Sequence, residues 1–122
     1  MTQALVILLA LQIKHLCADY LFQTDYMVAH KGTYRHPGGL LHAGLHAILT
    51  AIILGVAGVP MALVAGLSAA EFIAHYHIDW GKEQVSRRAA LTPDKVNFWR
   101  AHGIDQMLHQ VTYLALVWWI YG

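Results

Sequence analysis

LLHAGLHAILTAIILGVAGV, residues 40–59, is the stretch whose reading decides the fold. It contains no charged side chain, and its length matches the roughly 20 residues that carry a helix across the hydrocarbon core of a bilayer. Yet it holds His42 and His46, four apart and so on one helical face. Met61 to Asp79 and Ile104 to Tyr121 are apolar stretches of the same kind. A fourth begins at Ala4 and stays apolar to Ile13 apart from Gln12. It then carries Lys14, His15, Asp19, Gln23 and Asp25 in a helical run that reaches Val28. Composition points the same way: of 122 residues, 57% are apolar and 12% charged, and mean hydropathy is +0.45, too apolar for a soluble domain of this size. A chain this short makes one unit. The expectation is therefore all-α, an integral membrane four-helix bundle formed by a single transmembrane domain over residues 1–122.

The breaks between helices are legible. His36, Pro37, Gly38 and Gly39 separate helices one and two, and Gly55, Gly58 and Pro60 turn helix two into helix three. Pro60 suits the first turn of a helix, where a missing N–H costs nothing. Gly81 to Gly103 is the one long polar segment. Within it Thr92, Pro93 and Asp94 read as a cap opening a short interfacial helix through Trp99, in the loop between helices three and four.

Lys31 and Arg35 fall in the first loop, Lys82, Arg87, Arg88, Lys95 and Arg100 in the third, and no basic residue in the second. The bias places loops one and three in the cytoplasm and both termini on the non-cytoplasmic side. Trp118, Trp119 and Tyr121 suit an aromatic belt there, with Trp80 and Trp99 near the cytoplasmic interface. Lys14 strains this picture, and would have to snorkel or face water. Met1 leads straight into the apolar run without a basic leader or cleavage signal, so the first helix is expected to stay in the mature protein. The net charge of +1, with the basic residues in loops rather than along one face, argues neither for a nucleic-acid footprint nor for an acidic partner, and no nucleic acid is expected. The lone Cys17 forms no internal disulfide and no thiolate metal motif.

Each expected helix carries one pair of metal-ligand side chains four residues apart: His15 and Asp19, His42 and His46, His75 and Asp79, Asp105 and His109. All four pairs lie in the helix halves nearer the cytoplasmic loops, so they meet at similar depth. Because neighbouring helices run antiparallel, His15, His46, His75 and His109 form a deeper layer. Asp19, His42, Asp79 and Asp105 form a shallower one, roughly 6 Å away along the axis. A charged side chain at the bilayer centre costs roughly 2.5–3.5 kcal/mol even on lenient scales, and no comparable set of lysines or arginines lies at that depth. Divalent cations would neutralise the carboxylates, and mixed imidazole and carboxylate ligands suit a transition metal, zinc first. Eight ligands exceed what one tetrahedral ion needs, so two ions are expected. A lone membrane histidine is ordinarily a helix-to-helix hydrogen-bonding residue; it is the fourfold repetition that favours a metal. Glu71, one turn before His75, and Asp25 are the candidate catalytic proton carriers, with a positioning role as the plainer reading. His30, His36, His77 and His102 lie off the paired stripes and read as solvated or interfacial.

The motifs together, H-x-x-x-D-Y-x-x-Q-T-D over His15 to Asp25, Lys31, L-L-H-A-x-x-H from Leu40, H-x-x-x-D-W from His75 and D-Q-x-x-H from Asp105, resemble domain-of-unknown-function family 3307 over almost the whole chain. The resemblance implies a small bacterial or phage integral membrane protein, hence the bacterial inner membrane, and its motif residues fall on the same eight positions. It implies no activity, since none is established for the family. Lys14 is the residue the pattern least explains.

The leading functional expectation is a dinuclear metal-dependent hydrolase at the cytoplasmic membrane face, its ions lowering the pKa of a bound water and polarising a phosphoryl or carbonyl oxygen. Its partners would be membrane lipid and a lipid-like or phosphoester substrate. A divalent metal transporter or sensor is the alternative, and at this size would need a homo-oligomer to build a path. Haem held by paired histidines, or a purely structural polar network, are further alternatives.

Overall fold

The computed structural model describes all 122 residues, and every regular element in it is helical. Helix α1 (Thr2–Cys17) runs into a π-helical turn (Ala18–Phe22); α2 (Asp25–His30) is short; α3 (Pro37–Val56), α4 (Met61–Arg88) and α5 (Val96–Tyr121) are long. The long helices close a ring, α1 and α4 each packing against both α3 and α5, while α2 lies on α3.

Local chemistry sets the ends. The first helix stops at Phe22 rather than running on to Val28: the Gln23 N–H reaches back five residues to the Ala18 carbonyl at 3.0 Å, closing the π turn. Thr24 then caps a separate helix, its Oγ1 accepting from the Met27 N–H at 3.3 Å. His36 caps α3 through Nδ1, which accepts from the Gly38 N–H at 3.1 Å, with Pro37 at the first helical position. At the far end of α3, Gly58 takes φ +78°. Its N–H bonds the Gly55 carbonyl and that of Val59 the Leu54 carbonyl, both at 3.0 Å, a Schellman closure with Val59 packed in the core.

The short interfacial helix expected between the third and fourth long helices does not form. Past Asp79, α4 continues through Lys82, Glu83 and Gln84 to Arg88, all good helix formers. Thr92, Pro93 and Asp94 make a turn, closed by the Lys95 N–H on the Thr92 carbonyl at 2.8 Å. The helix they precede is α5 itself, because only Gly103 interrupts the pattern, and one interior glycine costs about 1 kcal/mol. At 28 residues α4 is about 42 Å long, more than a bilayer core requires, so α4 and α5 extend together beyond it as a helical hairpin.

The protein is built inside out. At one end of the ring the interior is apolar, with Ile7, Leu11, Leu54, Val64, Leu67 and Leu116 in contact. Toward the α4–α5 hairpin it is polar: Lys14, His15, His42, His46, Glu71, His75, Asp79, Asp105 and His109 are all buried. Large apolar side chains face outward instead, Leu9 at 60%, Ile48 at 62% and Ile73 at 58% exposure. Such an outer surface suits hydrocarbon better than water. Three helices, Thr2–Phe22, Pro37–Val56 and Met61–Arg88, are long and apolar enough to cross a membrane. The expected fourth, α5, has the length at 26 residues, but Asp105, Gln106, His109 and Gln110 in its first half bring its hydropathy below the others.

Candidate metal centre

The four pairs converge. His15 and Asp19 come from α1 and its π turn, His42 and His46 from α3, His75 and Asp79 from α4, and Asp105 and His109 from α5. The deeper layer is a ring of imidazoles: His15 to His46 at 5.3 Å between ring centres, His46 stacked on His75 at 3.7 Å, His75 to His109 at 4.2 Å, and His109 back to His15 at 5.0 Å. Over them lie the carboxylates. Asp19 is 3.2 Å from His15, 3.4 Å from His42 and 2.9 Å from His46; Asp79 is 3.2 Å from His42, 3.4 Å from His75 and 3.1 Å from His109. Asp105 stands 3.6 Å from His109. His42 touches both aspartates and joins the two halves, its Nε2 also lying 3.2 Å from that of His75.

All five histidines point Nε2 inward in these contacts. The ligand atoms fall into three overlapping groups, each within 4.8 Å: Asp19 with His42, His46 and His75; His15 with His75 and His109; and Asp79 with Asp105 and His109. Metal arms of about 2.0–2.2 Å put neighbouring ligands about 2.8–3.6 Å apart, from octahedral to tetrahedral geometry. The measured separations of 2.9–3.6 Å fall in that window. Asp79 Oδ2 and Asp105 Oδ1 are buried near imidazole nitrogens yet accept no hydrogen bond, and Nδ1 of His42 and of His75 has no partner either. Of these, the two carboxylate oxygens face the imidazoles, and buried acceptors of that kind are what an ion among them would satisfy. The donor set therefore fits a transition metal.

Beneath the imidazoles lies a third polar layer. Lys14, expected at the interface or in water, points inward: its side chain is 2% exposed and its ammonium pairs with the Glu71 carboxylate. The ammonium also donates to the Tyr113 hydroxyl at 3.2 Å and the His46 carbonyl at 3.3 Å. In a buried ion pair mutual attraction offsets the desolvation of both charges, whereas a lone ammonium turned outward from this helix would meet apolar surroundings. Tyr113 links this layer to the site, its hydroxyl lying 2.8 Å from His15 Nδ1, the outer hydrogen bond that fixes a ligating imidazole. Gln106 reaches His15 from the other side, Oε1 to Nε2 at 3.1 Å. The stripe spacing reveals Tyr113 as His109 plus one turn; Lys14, one residue off the α1 stripe, has no such signal.

Of the two expected proton carriers, Glu71 sits one turn below His75, with its Oε2 buried and unpartnered. Asp25 is exposed in the first turn of α2 and joins none of the ion pairs of the cluster. His30 and His36 stack on each other at 3.9 Å, and His77 bonds Tyr34, so these histidines lie outside the centre. One ammonium among three buried carboxylates and the half-buried Asp19 leaves three negative charges inside the ring when all four are ionised, a charge that bound cations would balance.

No curated protein and no solved structure matches the chain. Residues 7–122 match the family described as Protein of unknown function (DUF3307), which covers all four ligand pairs and both residues of the buried ion pair. The chain therefore belongs to the DUF3307 family.

Proposed function

We propose that the chain is a membrane-embedded metal protein whose transmembrane four-helix bundle, a single domain, holds two divalent ions, zinc first among candidates. It would act as a metal-dependent hydrolase at the cytoplasmic membrane face. The observation that carries this is the convergence of five histidines and three carboxylates in overlapping groups, each with its ligand atoms within 4.8 Å of one another, that share His75 and His109. His15, Asp19, His42, His46, His75, Asp79, Asp105 and His109 are the ligands. In this reading α5 spans as the fourth helix, its outward Val111 and Leu114 half-exposed while Asp105 and His109 turn inward. The basic residues gather at the hairpin end and in the first loop, which supports a reading with that end in the bacterial cytoplasm and both termini opposite.

Two ions held this way would supply an activated water and a polarised phosphoryl or carbonyl oxygen. The chain's own part is to hold the His15 imidazole in one tautomer through Tyr113 and to exclude water from below. Glu71 offers a free carboxylate oxygen as the proton carrier; Asp25 lies too far toward the surface to share that role in this conformation. The Lys14–Glu71 pair and the apolar core below it close the deep end of the site. That closure favours resident ions over a transport path through one chain.

Elemental analysis of detergent-purified protein tests the reading. Wild type should carry about two transition-metal ions per chain, and His46→Ala and Asp105→Ala should each lose at least one. Hydrolysis of a lipid phosphoester should follow the metal. Metal-free wild-type protein, or full metal content in both variants, would overturn the site; metal without any hydrolysis would overturn the activity alone.

A further inference from the structure

On the outside of the ring, α4 and α5 leave a groove of about 450 Å³, within the roughly 300–1,000 Å³ range of small-molecule sites. Its walls include Gly81 and Val85 on one side and Ile104 and Leu108 on the other, with Lys82 and Asp105 among the lining residues. Val85, Ile104 and Leu108 are 54%, 56% and 41% exposed. Asp105 is 5% exposed, and its Oδ1 is one of the buried oxygens with no hydrogen-bond partner. A larger groove of about 570 Å³ between α3 and α4 touches none of the eight ligand residues. The α4–α5 groove thus joins an apolar trough to a ligand residue of the metal centre.

We infer that this groove is the substrate entrance, taking the apolar chain of a lipid phosphoester along Val85, Ile104 and Leu108 and presenting its phosphate to the ions at Asp105. The inference rests on the dinuclear reading and adds the route and the seat of the acyl chain. Charge supports an anionic head: two divalent ions together with Lys14 would outweigh the four carboxylates of the centre by one charge, and Lys82, 3.7 Å from Glu83, lines the groove. Geometry supports a chain, because polar substrates gain nothing from an apolar trough. It also supports lateral entry, since the Lys14–Glu71 pair and the apolar core below it close the deep end of the site. Gly81 keeps the trough open: a Cβ there would meet no atom within 4 Å, so a large side chain would project into the groove without disturbing the helix.

The test uses full-length, zinc-loaded protein in micelles and a phosphatidic acid analogue carrying a diazirine on its acyl chain. Photolysis should label residues 78–85 and 101–108. Gly81→Trp and Val85→Trp should each reduce labelling by about tenfold or more, a loss of about 1.4 kcal/mol, with zinc content unchanged. Excess unlabelled phosphatidic acid should compete and diacylglycerol should not. Labelling spread evenly around the helices, labelling concentrated between α3 and α4, competition by diacylglycerol, or undiminished labelling in a zinc-bound variant would overturn the entrance while leaving the metal centre standing. Should Gly81→Trp lose zinc, Val85→Trp decides. Wild type that binds no zinc would instead remove the metal reading, and its analysis separates that outcome from the others.

Discussion

Replacing Lys14 by methionine removes the one ammonium from the buried polar layer and leaves the Glu71 carboxylate without its partner. Both side chains are almost fully buried, at 2% and 1% exposure, so solvent screening offers no relief. Breaking such a pair from one side costs about 3–5 kcal/mol, because the surviving charge stays desolvated. Glu71→Gln should cost a similar amount by stranding the ammonium. The double variant Lys14→Met, Glu71→Leu removes both charges and fills the space with apolar atoms, so its loss should be under about 2 kcal/mol, well short of the sum. Tyr113 keeps its contact with His15 in every variant, which limits the damage to the third layer. Reversible unfolding in mixed micelles, with an SDS titration followed by helical circular dichroism, reads these differences. A Lys14→Met protein within about 0.5 kcal/mol of wild type, or a double variant whose loss equals the two single losses added, would refute the pairing.

His75→Ala and Asp79→Asn should abolish metal retention after dialysis, since His75 belongs to two of the three ligand groups and Asp79 contacts three imidazoles, whereas His30→Ala, outside the centre, should bind as wild type does; elemental analysis of the three side by side checks this. Gly38→Ala should destabilise by about 1–3 kcal/mol, because its Cβ would come within 2.8 Å of the His30 Cβ and 2.9 Å of the Tyr26 carbonyl where α2 seats on α3; loss of protection in residues 25–36 by hydrogen exchange would show it.

The site was legible in the sequence to the degree that helix geometry alone determines it. Four pairs at a spacing of four share a face on any α-helix, and antiparallel connections then set His15 beside His46 and His75 beside His109 without further information. What a stripe cannot show is a side chain that arrives from one residue off it. Lys14 is adjacent to His15 in sequence and reads as a strained interfacial lysine, but the carboxylate it answers to lies on α4, and no local pattern pairs them. The misplaced short helix has a different cause. Thr92 and Asp94 are sound turn chemistry, yet capping signals say where a helix may start and not how far it runs, and only the packing of α5 against α1 and α4 decides that.

The third layer also constrains how many ions the centre needs. Following each stripe one turn deeper leads to Thr50 on α3, Glu71 on α4 and Tyr113 on α5, all buried, while α1 supplies Lys14 in place of the apolar Leu11. Glu71 is thus already neutralised by a protein cation, and its charge makes no demand on a metal. The remaining burden is Asp19, Asp79 and Asp105, three negative charges in contact with five imidazoles. One divalent ion would leave a net negative charge in a dry interior, and two leave a single positive charge that an incoming phosphate can offset. On the proposed reading, an occupancy of two and an affinity for an anionic substrate would follow from the same count. A variant such as Asp105→Asn, which lowers that count by one, should loosen the metal bound by Asp79, Asp105 and His109 while the ion among Asp19, His42 and His46 stays.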